Sequence, residues 1–435
     1  MSITSTDFVN WFRDSSPYIH AHRNKTFVIY FNGEMIMDSY DNLIHDFALL
    51  KSLGIRLVLV HGIRPQVDQR LKQRSISFKF HQNLRITDDI ALECVKEATG
   101  LVRVEIEALL SMGLANSPMA GAKIKVASGN FVIAKPLGII EGVDYLHTGK
   151  VRRIEHANIQ QQLDHENVVL ISPLGYSPTG EIFNLAAEQV AKEVAIALKA
   201  EKLIQFTEQS CLSKQKLIQQ MTIKEAELFL QQDKTIPDSL FYSLDAAIQS
   251  CQQGVERVHL INRHIDGALL LELFTRDGSG TLISSNHYEE IRAASLNDIS
   301  GILELIKPLE DQGLLVKRSR EKLEMEIDDY IVIERDGLII ACTAFHILDD
   351  KQSAEIACLA VHIDYQKSAR GSNLLDHVIR KAKTQKLTKL FILSTQTMHW
   401  FIERGFKPTE INKLPKQRKE FYNYKRNSKV LCKTI

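Results

Sequence analysis

The stretch E-I-A-C-L-A-V-H-I-D-Y-Q-K-S-A-R-G-S-N-L-L-D-H-V-I-R-K-A-K, from Glu355 to Lys383, decides how the rest of the chain is read. Its first half alternates and is rich in Ile, Val and Leu, the pattern of a half-buried strand. Its second half sets Leu374, Leu375, Val378 and Ile379 on one side of a 3.6-residue period, the pattern of an amphipathic helix. Between them Gln366-Lys367-Ser368-Ala369-Arg370-Gly371-Ser372 forms a loop of small and basic residues that opens directly into the helix. Such a loop aims unpaired backbone N–H groups and the positive end of the helix dipole at one point, which suits a pyrophosphate. It has neither the G-x-x-x-x-G-K-[ST] of a P-loop nor the G-x-G-x-x-G of a dinucleotide-binding turn. The plain alternative is an ordinary strand-to-helix turn.

At 435 residues the chain is too long for one ordinary domain. A hydrophobic content of 44% and a charged content of 25% are those of a soluble globular protein. A net charge of +1 gives no electrostatic case for nucleic acid or an anionic membrane as partner. The six cysteines are scattered, with no C-x-x-C, and the fifteen histidines have no ligand spacing, so no metal is expected. The start, M-S-I-T-S-T-D-F, has neither the basic nor the apolar region of a signal peptide, and no stretch reaches the ~20 apolar residues of a membrane span. A cytoplasmic location is expected.

Residues 5–20 read as a helix with Phe8, Trp11, Phe12 and Tyr18 on an aromatic face, a leader that packs on its own domain or on a neighbouring subunit. From Phe27 onward, strands alternate with helices. Apolar runs at 27–34, 57–62, 168–175, 202–208 and 255–262 predict a largely parallel sheet covered by helices on both faces. A helix is expected from Asn184 to about Leu198. The polar segment S-S-N-H-Y-E-E, 284–290, reads as a linker. After it come a helix from Ser295, a helical stretch over 317–328, and a hairpin over 330–347 turning at Asp336-Gly337. The opening strand, loop and helix follow, then a strand at 389–395. The expected division is a leader (1–20), an α/β domain (21–283), the linker, and an α+β domain (291–435).

The loop 366–372 resembles the Q/R-x-x-G-x-G/A acetyl-coenzyme A signature of the GNAT acyltransferases, with Gln366, Ala369 and Gly371 in the defining places. Ala369 departs from the usual glycine, so its backbone is expected to stay at negative φ. The W-F-I-E-R-G-F ending at Phe406 is similar to the helix end of the same family. The first domain resembles the amino-acid kinase family, and within it the acetylglutamate kinases, on F-V-I-Y-F-N-G-E, V-H-G-I-R-P-Q-V-D, R-I-T-D and N-L-A-A-E-Q-V-A. Active kinases end the first strand K-x-G-G; here Tyr30-Phe31-Asn32-Gly33 replaces the lysine and the first glycine. Losing that cation should cost phosphoryl transfer several powers of ten, so a kinase fold without kinase activity is expected. The two domains end to end resemble the bacterial N-acetylglutamate synthases, most specifically in E-L-F-T-R-D-G-S-G-T, L-L-V-K-R-S-R-E and N-Y-K-R-N-S-K-V-L.

This resemblance implies acetyl transfer from acetyl-CoA to L-glutamate, the entry to arginine biosynthesis, with feedback inhibition by L-arginine, in a ring-like homo-oligomer, a hexamer. An amino acid arrives as an ammonium ion, and a base must take its proton before the nitrogen can attack directly, without an acyl-enzyme. Glu355 is the candidate base, acting directly or through a water; its alternative is a surface carboxylate at a strand end. A backbone N–H near Cys358 to Ala360 would stabilise the oxyanion. Ser394, if not simply a satisfied core serine, would give a proton to the departing thiolate. Cys358, Leu359, Ala360 and Val361 are expected to line the coenzyme, together with the loop 366–372. Cys358 has no base beside it and is no nucleophile. The resemblance places the glutamate carboxylates on Leu315, Lys317, Arg318, Arg426 and Ser428. It places arginine on Tyr18, Lys202, Glu272, Gly278 and Gly280, where a carboxylate can take the guanidinium and N–H groups the ligand's own carboxylate. A working kinase and a non-catalytic arginine sensor are the competing readings; Tyr30 opposes the first, and Glu355 with the loop and Arg426 the second.

Overall fold

The run T-F-V-I-Y-F has no polar face because it lies at the centre of a sheet covered on both sides. In the computed structural model, which describes all residues but 1–4, 39–40, 113–123, 214, 233–235, 286–288, 336 and 367–369, the chain forms two units, Met1–His287 and Tyr288–Ile435.

The first unit opens with helix α1 (Ser5–His22) and strands β1 (Thr26–Phe31) and β2 (Arg56–His61). A long helix α2 (Asp89–Met112) leads to β3 (Val126–Ala127) and β4 (Val168–Ile171). Then follow α3 (Ala187–Leu198), β5 (Lys202–Thr207), β6 (Gln220–Thr222), β7 (Arg257–Asn262), α4 (Ala268–Phe274) and β8 (Thr281–Ser284). The sheet order is β6-β8-β7-β5-β1-β2-β4-β3, parallel at every pairing except β7 with β8. Successive residues of these strands fall into two cores. Phe27, Ile29, Phe31, Leu57, Leu59 and Ile204 pack on one face; Val28, Val58, Val60, Leu203 and Val258 pack on the other. That division is the period-two geometry of a strand applied to a continuous apolar run. Strands 132–136, 149–154, 174–176 and 182–184 form a separate four-stranded sheet.

The second unit contains β9 (Glu289–Ala293), α5 (Ile299–Asp311), α6 (Arg320–Glu326), β10 (Tyr330–Arg335), β11 (Leu338–Ile347) and β12 (Ser353–Val361). After these come α7 (Arg370–Thr384), β13 (Lys389–Ser394), α8 (Met398–Ile402), β14 (Lys407–Thr409), α9 (Lys416–Glu420) and β15 (Lys429–Thr434). The sheet order is β9-β10-β11-β12-β13-β15-β14, antiparallel except for β12 against β13. That parallel pair is registered only from Ser353↔Lys389 to Ile356↔Ile392. β12 then continues to Val361 with no paired residue on β13, so the two strands part.

Several expected boundaries move. The helix anticipated from Asn184 begins at Ala187, because Asn184 pairs with Leu174 as the end of a short strand. The helix anticipated over 317–328 begins at Arg320: Ser319 accepts from the Lys322 N–H and caps it, which leaves Lys317 and Arg318 outside. The linker expected over 284–290 is shortened at both ends, since Ser284 belongs to β8 and Glu289–Glu290 to β9. The D-G-S-G segment joins a helix to a strand, because A-L-L-L-E-L-F is helical.

Gly280 sits where no side chain fits: a Cβ there would lie 2.3 Å from the Leu260 carbonyl oxygen and 2.7 Å from Ile261 Cγ2. Gly100, inside α2, is open: a Cβ there would meet nothing within 4 Å. Gly280→Ala should therefore destabilise the first unit by about 1–3 kcal/mol through overpacking, whereas Gly100→Ala should stabilise it by about 0.5–1 kcal/mol through helix propensity. Urea midpoints of the two variants, compared with the unsubstituted protein, should move in opposite directions.

Candidate active site

The site is built where β12 and β13 part. Cys342↔Ala360 and Ala344↔Ala357 are the pairs on either side of a register shift between β11 and β12. Two residues of β12, Cys358 and Leu359, therefore oppose the single Thr343, which is a β-bulge. Cys358 adopts φ 52°, a left-handed conformation that a non-glycine residue holds only where its surroundings impose it. Two side chains of β11 impose it: the Thr343 hydroxyl donates to the Ala357 carbonyl at 3.1 Å and the Cys342 thiol to the Cys358 carbonyl at 3.7 Å. Bulge and strand parting fall within the same few residues, so the backbone of Ala357 to Val361 faces an opening instead of a neighbouring strand. Of the expected coenzyme-lining residues, Cys358, Leu359, Ala360 and Val361 all lie on this segment.

The expected anion loop is described in part. Lys367, Ser368 and Ala369, and with them the expectation for the Ala369 backbone, lie outside the described residues. Gln366 closes a short 3-10 turn and donates from Nε2 to the Val361 carbonyl at 3.2 Å. Arg370, Gly371 and Ser372 form the first turn of α7, which has no acidic residue to neutralise its N-terminus. Arg370 itself is already engaged: its guanidinium pairs with Glu289 and lies 4.7 Å from the centre of the Tyr365 ring. A different cation stands at this helix end. Arg404 donates to Ser372 Oγ at 3.1 and 3.0 Å and stacks 3.8 Å from the Trp400 ring centre. Nothing in the spacing around Arg404 singles it out, because the contact joins the turn after α8 to a helix distant in sequence.

Glu355 is only 7% exposed, which removes the surface-carboxylate alternative. Its two oxygens are held by the fork of Arg418, Nε to Oε2 and Nη2 to Oε1, the latter at 3.0 Å. The hydrogen bond to Glu355 in turn pushes the Arg418 guanidinium further above its ordinary value. Sequence reasoning misses Arg418, which stands on the five-residue helix α9, 63 residues further along the chain. Ser394, at the end of β13, is buried and accepts from the Thr397 N–H at 3.1 Å while sharing a 3.0 Å contact with the Thr397 hydroxyl.

The two expected carboxylate-binding motifs meet. Arg426 donates to the Leu314 carbonyl, which draws the C-terminal segment onto the one holding Leu315, Lys317 and Arg318. Ser428 is buried, and its carbonyl takes the Tyr422 hydroxyl at 2.6 Å. The Arg318 backbone N–H is fixed on Glu310, and its guanidinium lies within electrostatic reach of Cys358 and Tyr330, hence beside the bulge. Lys317 is exposed.

In the first unit the residues expected to hold arginine gather around one carboxylate. Glu272, on α4, accepts from the N–H groups of Ser279 at 2.7 Å and Gly280 at 2.8 Å and pairs with His259 Nδ1 at 2.6 Å. Gly278 has φ 64°, and a Cβ there would sit 2.5 Å from Glu272 Oε2, so the turn can close on the carboxylate only through glycine. Lys202 Nζ reaches the other face of His259 at 3.2 Å. Helix α1 docks on α4 through Ser15 Oγ to the Phe274 carbonyl and His22 to the Leu273 carbonyl, which brings Tyr18 beside His22, with ring centres 6.4 Å apart. Neither His259 nor His22 stands in a motif that would single it out. Burial and then the Lys202 charge lower His259 to about 4 and His22 to about 3, so both are neutral near pH 7. Burial alone would raise Glu272, but the His259 and backbone hydrogen bonds hold it down at about 2.

Elsewhere in this unit, Tyr30, Asn32, Arg64, Glu188 and Glu208 line a cleft of about 200 Å³. Asn32 caps the following helix through Met35 N and donates to Glu208 at 2.7 Å. Burial, then Glu188, raises the Tyr30 phenol well above its ordinary value, so a neutral group stands where a phosphotransferase needs a cation. Among the described residues, no cluster of His, Cys, Asp and Glu can hold a metal ion, and no helix is long and apolar enough to cross a membrane.

Comparison with known proteins places each unit in a family. Residues 25–262 match the amino acid kinase family and residues 299–406 the acetyltransferase (GNAT) family. The amino-acid acetyltransferase of Azotobacter vinelandii is 52% identical over 99% of this chain and 100% of its own length. The N-acetylglutamate synthase of Neisseria gonorrhoeae, solved with coenzyme A and L-arginine, is 36% identical and superposes with a TM-score of 0.89 over 98% of this chain and 99% of its own. The same protein solved with coenzyme A and N-acetyl-glutamate gives a TM-score of 0.63 over the same spans.

Two tests follow from the geometry. A glutamate at position 371 suits the helix N-terminus electrostatically but meets Trp400, whose Cζ2 lies 3.4 Å from the Cβ position, and repels an incoming phosphate. Gly371→Glu should therefore stay folded and raise the KM for acetyl-CoA at least about tenfold, read from steady-state kinetics. The Glu272 contribution to stability is full above its ordinary value of 4.5 and is lost as pH falls toward its folded value of about 2. His259, at about 4 against an ordinary 6.5, removes stability over the window from 6.5 down to 4. Urea midpoints should thus fall steadily below pH 6.5, and Glu272→Gln should flatten the limb below pH 4.5.

Proposed function

The chain belongs to the amino-acid acetyltransferases, an amino acid kinase family domain joined to a GNAT domain, and from that premise we propose that it acetylates L-glutamate with acetyl-CoA under inhibition by L-arginine. The observation that carries the reading is the coincidence of three features on one strand: the buried Glu355, the bulge at Cys358, and the parting from β13 beside the N-terminus of α7.

In this mechanism Glu355 takes a proton from the substrate ammonium, an N–H bond breaking and an O–H bond forming while nitrogen keeps the electron pair. The amine attacks the thioester carbonyl, and an N–H of the Cys358 to Ala360 segment receives the developing oxyanion. The C–S bond then breaks, the thiolate takes a proton from the Ser394 hydroxyl, and the new amide nitrogen gives its second proton back to the serine oxygen, so that the one proton released overall is the proton held by Glu355. The Thr397 N–H donates to the Ser394 oxygen, and the serine proton is available to give when the Thr397 hydroxyl is the donor in their 3.0 Å contact. The pyrophosphate of the coenzyme rests on the first turn of α7 with Arg404 alongside, and Leu315, Lys317, Arg318, Arg426 and Ser428 receive the substrate carboxylates.

Arginine occupies the first unit at Tyr18, Lys202, Glu272, Gly278 and Gly280. Its guanidinium competes with the Ser279 and Gly280 N–H groups for Glu272, so binding reshapes the turn that Glu272 now holds. The kinase-like cleft is inert because Tyr30 replaces the phosphoryl-binding cation. We place the enzyme in the cytoplasm as a homo-oligomer in which α1, with Phe8, Trp11 and Phe12 about half exposed, meets a neighbouring subunit.

Free thiol release from acetyl-CoA, followed with and without L-glutamate and alongside ADP formation from ATP and acetylglutamate, tests the reading. Thiol release should require L-glutamate and fall on adding arginine; ADP formation should stay at background. Glutamate-independent thiol release, or ADP formation that depends on acetylglutamate, would overturn it. Glu272→Ala and Tyr18→Ala should weaken the arginine response while leaving uninhibited turnover near its original value.

A further inference from the structure

A second cavity in the first unit shares no lining residue with the kinase-like cleft. It measures about 260 Å³ and is walled by one face of α2 and by the segments that follow β3 and β4. Helix α2 gives it Lys96, Thr99, Gly100 and Arg103, the i, i+3, i+4, i+7 set that shares one side of a helix. Ser128 and Ser172 add to its polar wall. Two of these residues are in a state that no protein group accounts for. Thr99 is only 5% exposed, yet its hydroxyl has no hydrogen-bond partner. Ser243 and Ser250, on the helix Asp238–Gln252, return their hydroxyls to the carbonyl four residues back, at 3.0 and 2.7 Å. Thr99 does not, and a buried hydroxyl left unpaired destabilises a fold. Gly100 sits in mid-helix, where alanine is preferred, without the positive φ that calls for glycine. No neighbouring element would meet a Cβ there within 4 Å, so no close approach of the chain explains it either. An open glycine thus stands beside an unused hydroxyl on the wall of one cavity.

The remaining groups define what would fit. His61 is fully buried, and burial lowers it to about 4, so it is neutral. Its Nδ1 faces the Gly62 carbonyl at 3.3 Å and must carry the proton, so Nε2 accepts from the Ser172 hydroxyl at 2.9 Å. The Ser172 oxygen is thereby left to accept. Lys96 and Arg103 supply positive charge two helical turns apart, about 10 Å along the axis. Glu107 takes the Ser128 hydroxyl at 2.8 Å and approaches Arg103 Nε at 3.6 Å, beyond hydrogen-bond distance, so the guanidinium donors remain open to a second anion. We propose that this cavity binds a small hydroxy-dicarboxylate. Its two carboxylates meet Lys96 and Arg103, Thr99 donates to the nearer of them, and its hydroxyl donates to Ser172. Two cations set two turns apart suit two separate anionic groups better than a single phosphate. An ammonium would stand between like charges, so the donor facing Ser172 is a neutral hydroxyl. The ligand lies over Gly100, in the space a side chain would take. The site belongs to the first unit alone and does not depend on the acetyl-transfer reading.

The test titrates the full-length protein with L-malate by calorimetry, with succinate and glycerol 3-phosphate as comparison probes. L-malate should bind saturably with a dissociation constant below about 1 mM. Succinate, which lacks the hydroxyl, should bind at least about fivefold more weakly, and glycerol 3-phosphate more weakly still. Thr99→Val and Gly100→Leu should each weaken L-malate at least about tenfold, the first by removing a donor and the second by filling the space. Thr99→Val should also raise the thermal midpoint of the ligand-free protein, because it removes an unpaired buried hydroxyl. Greater stability together with weaker binding is a pair of signs that a merely structural Thr99 would not give. The KM for L-glutamate should be unchanged in both variants. Absence of saturable L-malate binding overturns the proposal, and so does binding that either folded variant retains, since it would then lie elsewhere on the protein. Glycerol 3-phosphate binding as tightly as L-malate overturns the dicarboxylate assignment. If Gly100→Leu does not fold, the nearly isosteric Thr99→Val gives the same readout.

Discussion

The parting of two parallel strands is the constraint on which the catalytic unit turns. β12 and β13 can stay paired only while β12 keeps its register with β11, and the extra residue at Cys358 ends that. A bulge increases local twist and bends the strand that carries it. The strand therefore leaves its neighbour after Ile356, and its backbone groups lose a ladder partner. Unpaired peptide groups inside a protein are costly, on the order of 1–3 kcal/mol each, unless something else satisfies them. The opening is thus a backbone edge without a ladder partner, where Gln366 takes the Val361 carbonyl and an extended, amide-rich ligand such as a coenzyme arm can add further hydrogen bonds. The left-handed Cys358 is the local strain on which this opening depends, and the Thr343 and Cys342 side chains keep it in place.

Electrostatics then decides which groups matter in each unit. Most ion pairs here are exposed and worth little, such as Arg320 with Glu324 on one turn of α6. Several are largely buried, among them Arg85 with Asp68 and Arg292 with Asp298, and two of the buried contacts stand at the candidate sites. Glu355 with Arg418 closes over the parted strands, and Glu272 with His259 and Lys202 closes over the turn before β8. Removing one partner from a buried pair leaves a charge uncompensated and costs about 3–5 kcal/mol, so such pairs are positions where an incoming charged ligand can exchange with a partner. In the first unit the neutral His259 relays between Lys202 and Glu272, so a positive and a negative group are both present without direct contact. A ligand carrying both charges can insert there, which is the character of an amino acid.

Much of the molecule was legible in the amino-acid sequence, and the reason is local. Continuous apolar runs such as L-V-L-V-H can be satisfied only in a sheet covered on both faces, so the α/β character of the first unit follows from composition over six residues. The amphipathic period of 370–384 and the small residues before it likewise announce a helix with an open N-terminus. Glu355, Ser394, Arg426 and Glu272 could be singled out as candidates because each lies in a contiguous stretch that resembles a family motif. The replacement of lysine by Tyr30 was visible for the same reason.

What tertiary structure alone decided are relations between residues distant along the chain. Arg418 on Glu355, Arg404 on Ser372 and His259 on Glu272 join elements 63, 32 and 13 residues apart, and no spacing rule connects them. Arg370, well placed in the coenzyme motif, is claimed instead by Glu289, 81 residues before it. The boundary errors have the same origin: Asn184 is drawn into a strand by Leu174, and Ser319 caps a helix expected to start at Lys317. A side chain's propensity is written in its neighbours along the chain. Its partner is chosen by whatever the fold brings within about 3 Å, and at that range a hydrogen bond or an ion pair outweighs local preference.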